Sequence, residues 1–407
     1  LLGTAVLLIF LLADSYLMYT FFTKPYPGAN DFYARWRPTR AWLFEARSPY
    51  ADSVTLDVQI GMYGHPARPE QDKGLFSYPF FSILFFVLPS LISDYAWASA
   101  IWLAVLQVAL LGLIALSLAW SGWRPPPWLF GLTLLFSLFW YHTARTLILG
   151  QFAALNALMI VGALLAARSG RDVLAGILLA LTTAKPQMTF LIVPGLLLWA
   201  ASLRRRRLIA AFAVTFGALL IGSLLWLPSW PFEWRRQLTL YVDNSVNRSA
   251  LSFIAEALLP DSRAWPTLQA FLNGVLFLYL LWQWWRARRA TGRLLDWTAA
   301  LTLVVTNLVA LRTATTDYVM MTPALFLLFC FTQEAWGRRG LALVAIIQTV
   351  SFFGLWALFF ATVQGDQEQS VMYLPLPILL LAWLVLIHKR WLNSREPVSQ
   401  LAVQGSA

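Results

Sequence analysis

The chain of 407 residues is 59% hydrophobic and only 12% charged, about half of the charged share that soluble domains usually have. A soluble core of this size could not bury so much apolar surface, and the composition also excludes disordered, collagen-like and disulfide-stapled chains. The net charge of +11 comes from basic residues that separate apolar segments, which indicates membrane topology and not nucleic-acid binding. The sequence therefore predicts an integral membrane protein.

Apolar runs of about 20 residues, the length of one membrane-spanning helix, recur along the chain. They predict an all-α polytopic protein with a single membrane domain over 1–407 and about 12 transmembrane helices, roughly 11 to 13. The first run lacks a small-residue cleavage site and is interpreted as an anchor, not as a signal peptide. The runs lie near 1–22, 77–92, 95–120, 127–143, 149–167, 173–184, 187–202, 208–227, 266–286, 295–311, 317–333, 340–361 and 372–388.

Five short basic loops orient the predicted helices, because loops rich in Lys and Arg stay in the cytoplasm. Two apolar runs separate each neighbouring pair of these loops, so the second half of the chain alternates consistently across the membrane. If the N-terminus is cytoplasmic, one of the five runs before the first basic loop does not cross, and 77–92 and 127–143 are the candidates. The basic loops are 168–171, 204–207, 286–293, 338–339 and 389–395.

Two loops on the opposite side are too long to be simple connections. The first, 23–76, is predicted to be an extracytoplasmic loop that contains a helix over 32–46. The second is 228–265, and 389–407 is predicted to be a cytoplasmic tail. The helix in the first loop is expected to be amphipathic and to lie at the membrane interface. Its basic and aromatic residues are Arg35, Trp36, Arg37, Arg40 and Trp42.

Several familiar catalytic motifs are absent, which narrows the possible chemistry. The sequence contains no Gly-rich phosphate loop, no dinucleotide-binding fingerprint and no zinc-binding spacing. The three histidines are scattered, and no Asp-x-Asp pair is present to hold a metal ion on a nucleotide sugar. A soluble-type, nucleotide-dependent enzyme is therefore disfavoured.

Polar residues near the outer ends of the apolar runs are the candidate functional groups, and each also has a purely structural interpretation. Asn30 or Asp31 can cap the following helix, whereas a carboxylate can also accept a proton. Gln151 and Asn156 can form interhelical hydrogen bonds. Lys185 can extend its amine to the interface, but a lysine at such a depth is costly and indicates a functional site by default.

Asp317 and Tyr318 open a later run, where they can serve as a helix cap and as an interfacial tyrosine. Arg312 precedes them by a few residues. Together these positions put an acid, a lysine, an arginine and amides on one side of the membrane. This constellation suits an anionic substrate, because a carboxylate can take a hydroxyl proton while cations stabilise a phosphate leaving group.

Five short motifs follow one another along the chain. They are Asp31-Phe-Tyr-Ala-Arg-Trp with Ser48-Pro-Tyr50, Phe76-Ser-Tyr78-Pro-Phe, Leu149-Gly-Gln151-Phe, Ala184-Lys185-Pro-Gln187 and Thr316-Asp317-Tyr318. They resemble the motifs of glycosyltransferase family 87, a group of GT-C membrane glycosyltransferases that use polyprenyl-phosphate-linked sugars. Their order and spacing fit over roughly 25–330, most of the chain. The segment of family 87 that begins Tyr-Pro-Pro differs here, because Phe80 replaces its second proline.

The resemblance implies a GT-C-like helical bundle whose large first extracytoplasmic loop carries juxtamembrane helices. The implied reaction is an inverting, metal-independent transfer of a mannose-like hexose or a pentose, with no cofactor. Asp31 matches the acid assigned as catalytic base in such enzymes, and Lys185 with Arg312 would bind the donor phosphate. The residues expected in the donor and sugar pocket are Tyr78, Gln151, Asn156, Gln187, Asp317 and Tyr318.

The expected partners are membrane lipids, the polyprenyl-phosphate sugar and a lipid or glycan acceptor, with no nucleic acid. The expected location is the prokaryotic plasma membrane, with the active site on its extracytoplasmic side. Two alternatives stay open at this point. One is a non-catalytic accessory subunit, which the departures from the motifs leave open. The other is a lipid or solute transporter, which the lack of an internal repeat and the long first outer loop disfavour.

Overall fold

The helices of this chain are mostly long and apolar, as a membrane protein requires. The computed structural model describes residues 2–244, 249–260, 263–310, 313–365 and 368–393. Helices dominate these ranges, which confirms the predicted all-α polytopic class. Six described segments are long and apolar enough to cross a membrane, whereas the total of about 12 crossings stays a prediction. The six are Gly3–Thr23, Tyr95–Ser121, Arg206–Trp226, Trp265–Ala287, Thr315–Thr362 and Ser370–Asn393.

The α-helices are numbered in chain order. The longest of them, α17, is two helices joined at Gly337, whose φ of 54° and ψ of −125° interrupt the helical backbone. This kink separates the two runs that the sequence places at 317–333 and 340–361. The helices are α1 (Leu2–Met18), α2 (Asn30–Glu45), α3 (Asp52–Tyr63), α4 (Val87–Ser90), α5 (Tyr95–Ser121), α6 (Pro127–Phe139), α7 (Tyr141–Ile148), α8 (Ala153–Arg168), α9 (Asp172–Leu181), α10 (Pro186–Thr189), α11 (Ile192–Ser202), α12 (Arg206–Trp226), α13 (Trp230–Asn244), α14 (Ala250–Leu258), α15 (Trp265–Ala287), α16 (Arg293–Val309), α17 (Thr322–Thr362) and α18 (Pro375–Asn393).

Several apolar runs are divided into helices too short to cross a bilayer, which takes about 20 residues. The run 77–92 forms only the 3-10 segment Phe80–Phe85 and the single turn α4. The sequence names 77–92 and 127–143 as the two candidates for a run that does not cross. The first of them contains no helix long enough to span a membrane. The run 127–143 is split at Trp140, whose ψ of 161° ends α6 and precedes α7. Such breaks are tolerated in a membrane protein only where protein surrounds the freed backbone groups.

Contacts between the basic loops bring them to one end of the bundle. Arg168, at the end of α8, donates to Asp296 Oδ2 at 3.1 Å in the first turn of α16. Arg293, at the start of α16, donates to Glu334 Oε2 at 3.1 Å and to the carbonyl of Trp391 at 3.3 Å. These contacts join the regions of four basic loops, as expected of loops on the same side of the membrane.

The two long loops pack against each other at the other end. Helix α13 of the second loop supplies Trp234, whose Nε1 donates to the carbonyl of Ser77 at 2.9 Å. From the same helix, Arg236 and Gln237 donate to the carbonyl of Tyr50 at 3.0 and 2.9 Å. The long loops therefore form one folded layer, with α2, α3 and α13 as its helices.

Helix α2 begins two residues before the predicted start of the 32–46 helix, and no side chain caps it. Its cap position is Ala29, in the left-handed conformation with φ of 50°. The N–H groups of Asp31 and Phe32 instead donate to the carbonyl of Leu149 at 3.1 and 3.3 Å. The capping interpretation is therefore wrong, and the carboxylate in the first turn of α2 makes other contacts.

The basic residues of α2 contact protein, which corrects their interpretation as an interfacial amphipathic stripe. Arg35 is buried and donates to a backbone carbonyl before the 3-10 segment at 2.8 Å. Arg37 binds the carboxylates of Glu45 and Asp57 at 2.6 and 2.7 Å. Arg40 donates to the last carbonyl of α4 at 2.7 Å. These contacts give the many basic residues of this loop a structural role within the protein.

The turn before α8 lies directly against α2, and glycine makes this close approach possible. Gly150 has a φ of +64°, and a Cβ atom there would lie 2.8 Å from Phe32 Cβ and 2.9 Å from Ala29 Cβ. Its carbonyl accepts a hydrogen bond from Trp102 Nε1 at 2.8 Å. Any larger residue would push α2 away from the turn and strain the backbone.

Replacing Gly150 with alanine is expected to lower the free energy of unfolding by about 1–3 kcal/mol, through backbone strain and collision with α2. The matched control is Gly131→Ala in α6, where no heavy atom lies within 4 Å of the added Cβ. Unfolding by SDS in mixed micelles measures both variants. Equal stability of the two would contradict the close approach of this turn to α2.

Candidate functional site

A polar cavity of about 210 Å³ lies beneath the layer of long loops. Its walls come from α2, the segment after α3, the turn before α8 and the 3-10 segment Thr315–Met321. Helix α8 starts next to the cavity and ends at a basic loop, and α16 runs between the same two ends in the opposite direction. The cavity and the basic loops therefore lie at opposite ends of the bundle. Its charged lining residues in the described chain are Asp31, Arg35, Glu70, Asp72, Lys73, Arg145, Lys185, Asp317 and Glu368.

A chain of four side chains connects two walls of the cavity. Asp317 Oδ1 binds Lys185 Nζ at 2.5 Å, and Lys185 Nζ donates to Gln151 Oε1 at 2.8 Å. Gln151 Nε2 then donates to Asp31 Oδ2 at 2.7 Å, and its Oε1 also accepts from the Tyr78 hydroxyl at 3.3 Å. Because an ammonium group only donates and a carboxylate only accepts, these neighbours fix the orientation of the amide.

The lysine of this chain is placed by a break in its helix. Lys185 follows the 3-10 segment Thr182–Ala184 and precedes Pro186, and its φ of −126° and ψ of 78° lie outside the helical region. A residue before proline disfavours the α conformation, so the sequence itself ends the helix here. The lysine is 1% exposed, and Asp317 is 2% exposed. Charges this deeply buried are stable only when paired and hydrogen-bonded, as these are.

Asp31 is a carboxylate whose environment suits proton transfer. Burial raises the pKa of Asp31 above its ordinary value, and the nearby Asp72 carboxylate raises this pKa further. The Arg35 guanidinium, the hydrogen bond from Gln151 and the Lys185 ammonium lower the pKa but do not cancel the increase. A carboxylate with a raised pKa is a stronger base, which favours a role as proton acceptor.

Most of the predicted site residues share this cavity, but two do not. Asn156 is fully buried in α8, and its Nδ2 lies 3.6 Å from Met188 Sδ. Tyr318 is also fully buried, and its hydroxyl donates to the carbonyl of Tyr373 at 2.9 Å. Neither side chain lines the cavity, which corrects their assignment to the pocket, and Arg312 lies outside the described residues. The predicted residues that do line it are Asp31, Tyr78, Gln151, Lys185, Gln187 and Asp317.

Six charged lining residues are absent from the candidates that the sequence indicates: Glu70, Asp72 and Lys73 of the first long loop, and Arg35, Arg145 and Glu368. Arg35 is assigned from sequence to the membrane interface, and Arg145 and Glu368 belong to no motif. The one available signal for Arg145 is a charge next to an apolar run, which by itself indicates a functional position. Glu368 has no such signal, because it lies in a polar loop and reaches the site only through the fold.

Metal binding has no obvious ligand set in the part of the chain that the structure describes. No group of three or more His, Cys, Asp or Glu side chains is arranged there to hold an ion. The predicted independence from metal ions stays a prediction, since it concerns the reaction and not the ligand geometry alone.

The sequence of the chain matches a known protein family. The model of glycosyltransferase family 87 matches residues 76–311, which is more than half of the chain. This match confirms the resemblance seen in the motifs, and it includes Gln151 and Lys185. No curated protein and no solved structure matches the chain. The match favours an enzyme over the transporter and the accessory-subunit alternatives.

Removing the lysine alone is expected to destabilise the protein more than removing the charged pair. Lys185→Met leaves the Asp317 carboxylate buried without a cation, which costs about 3–5 kcal/mol of unfolding free energy. Adding Asp317→Asn removes that charge, and roughly half of the loss or more should be recovered. The same SDS unfolding assay measures Lys185→Met, Asp317→Asn and the double variant. A loss of stability in the double variant equal to the sum of the losses in the two single variants would show that the charges are not coupled.

Proposed function

The chain belongs to glycosyltransferase family 87 and is therefore a membrane glycosyltransferase, and we propose that it transfers a sugar from a polyprenyl-phosphate donor to a lipid or glycan acceptor. The observation that carries the proposal is the half-buried Asp31 carboxylate, held by Gln151 in a charged cavity at the end of an apolar helical bundle. A donor with a lipid anchor and a charged phosphate needs such a site, polar within and bordered by membrane-spanning helices.

The surroundings of the cavity support a lipid-linked donor. A second pocket of about 220 Å³ lies between the 3-10 segment Phe80–Phe85 and α12, and nearly all of its lining is apolar. Tyr78 lines the polar cavity, and Phe80, only two residues later, lines the apolar pocket. A sugar phosphate in the first and a prenyl chain near the second fit this order of polar and apolar surfaces.

The proposed reaction is a single displacement at the anomeric carbon. The acceptor hydroxyl oxygen forms a bond to that carbon from the face opposite the phosphate. The bond from the carbon to the phosphate oxygen breaks, and its electron pair leaves with the polyprenyl phosphate, so the configuration inverts. The hydroxyl proton passes to Asp31, whose Oδ2 is held by Gln151. No described residue donates a hydrogen bond to Oδ1, which leaves that oxygen for the acceptor hydroxyl.

The proposed roles of the other residues follow from their contacts. Lys185 orients Gln151 and through it Asp31, because its ammonium group binds the amide oxygen at 2.8 Å. Arg312 lies outside the described residues, and its contact with the donor phosphate stays a prediction from the family motifs. Neither a metal ion nor a cofactor has a part in the proposal. The cavity is assigned to the extracytoplasmic side, because it lies opposite the basic loops.

Replacing Asp31 with asparagine is expected to lower the rate of sugar transfer by about 10²- to 10⁴-fold, the usual contribution of a positioned proton acceptor. Asparagine is nearly the same size and still accepts the hydrogen bond from Gln151, so the fold should persist. The assay follows labelled sugar from polyprenyl phosphate in membranes, with chelator present. The matched control is Asp52→Asn, which changes an exposed acid of the same loop.

Two results of that assay would contradict the proposal. Full activity of Asp31→Asn would remove this carboxylate from the mechanism. Loss of activity in the parent enzyme when chelator is added would show that a metal ion takes part.

The acid side of the pH–rate profile is expected to report the raised pKa of Asp31. The carboxylate form is the base, so kcat/KM should fall as the pH is lowered through this pKa. Because the Asp72 charge raises the pKa, Asp72→Asn should move the fall in rate to lower pH. An unchanged profile, or a shift to higher pH, would contradict this electrostatic coupling, and Asp52→Asn again serves as the control.

A further inference from the structure

Arg145 differs from the other cations of the cavity because no described residue offers it an acceptor within hydrogen-bond distance. It lies in α7, lines the cavity and has 17% of its side chain exposed. Its nearest carboxylate is Glu368, with Nε to Oε2 at 3.9 Å, beyond hydrogen-bond distance. Its Nε is buried and has no hydrogen-bond partner among the described residues. A guanidinium group with five donors is therefore left with its hydrogen bonds unmade.

The neighbouring carboxylate is already satisfied by other groups. The Thr315 hydroxyl lies 2.9 Å from Glu368 Oε1 and 2.7 Å from Oε2, and the Tyr141 hydroxyl also donates to Oε2. These contacts hold Glu368 in place beside the guanidinium without taking up its donors. Glu368 thus supplies a compensating charge for Arg145. The N–H groups along the edge of the Arg145 guanidinium are left for another anion.

The other basic groups of the described lining are occupied. Lys185 binds Asp317 and Gln151, so its charge is compensated by a carboxylate at 2.5 Å. Arg35 donates to two backbone carbonyls, and its guanidinium carbon lies 4.3 Å from the centre of the Tyr78 ring. The Lys73 ammonium donates to two carbonyls of its own loop. Arg35 also has a buried Nε without a partner, but its Nη1 is already bound to two backbone carbonyls. Arg145, by contrast, makes no hydrogen bond to the described residues that a phosphate would have to displace.

A second donor without a partner lies on the same wall. Thr316 is 2% exposed and lines the cavity, and its hydroxyl has no hydrogen-bond partner among the described residues. Thr316 lies beside the segment that carries Arg145. The hydroxyl of Thr146, the next residue after Arg145, donates to the carbonyl of Thr316 at 3.1 Å. A buried hydroxyl left without a partner is unfavourable, and a bound ligand would satisfy it.

We propose that Arg145 and the Thr316 hydroxyl form the site that binds the phosphate of the lipid-linked donor, and that Lys185 is a positioning residue without a phosphate contact. The proposal rests on the proposed function. A planar guanidinium can bind two phosphate oxygens at once, and an ammonium group cannot. The nearby Glu368 charge limits the affinity of this site, so that the phosphate product can leave.

The test compares farnesyl phosphate with uncharged farnesol, both binding to the purified full chain in detergent. Arg145→Gln should weaken binding of farnesyl phosphate by about 10- to 100-fold, the range for lost charge-assisted hydrogen bonds, and leave farnesol binding unchanged. Thr316→Val keeps the side-chain shape and should weaken phosphate binding by about 2- to 10-fold. Glu368→Gln should strengthen phosphate binding several-fold, because it removes the opposing charge. Arg124→Gln, at an exposed arginine outside the cavity, is the control and should change neither ligand.

The outcomes separate this inference from the proposed function. If the parent protein does not prefer farnesyl phosphate to farnesol, the lipid-phosphate donor itself is wrong. If the parent shows that preference and Arg145→Gln and Thr316→Val both keep it, only the phosphate site is wrong. If Arg145→Gln fails to fold, Arg145→Lys and Thr316→Val decide the question, and normal phosphate binding in both would overturn the assignment.

Discussion

A fully buried lysine stays charged in this apolar bundle because a carboxylate and an amide bind it from two different walls of a cavity. Lys185 contacts Asp317 at 2.5 Å and Gln151 at 2.8 Å. The amide nitrogen of Gln151 in turn donates to Asp31 at 2.7 Å. The desolvation cost of a lone ammonium group at this depth would be several kcal/mol, so all of these contacts have to form together. The geometry of the site depends on this requirement.

The unusual backbone features of the bundle serve the same chain of contacts. The proline after Lys185 ends its helix where the amine must turn into the cavity. Gly150 brings the turn that carries Gln151 against α2, and the carbonyl of Leu149 receives the first N–H groups of that helix. Short helices that would be a defect in a simple bundle therefore place polar side chains at the end of the membrane-spanning layer.

The sequence predicts the parts of this site that depend on local features and misses those that depend on the fold. The break at Lys185 follows from its proline, and the family motifs assign Asp31, Gln151 and Lys185 to the same site. By contrast, Arg35 has the basic and aromatic neighbours typical of an interfacial helix, and only its packing shows that it faces protein. Likewise, the contact of Tyr141 with Glu368 spans 227 residues, so no local pattern could indicate it.

The central claim is that Gln151 acts through Asp31, and a double-mutant cycle on the rate of sugar transfer tests it most directly. The three variants are Gln151→Leu, Asp31→Asn and the two combined. If Gln151 serves to hold the Asp31 carboxylate, its loss should add almost nothing once that carboxylate is gone, and the double variant should be about as slow as Asp31→Asn alone. Fully additive losses in free energy of activation would show that the two residues act independently, and would contradict the account.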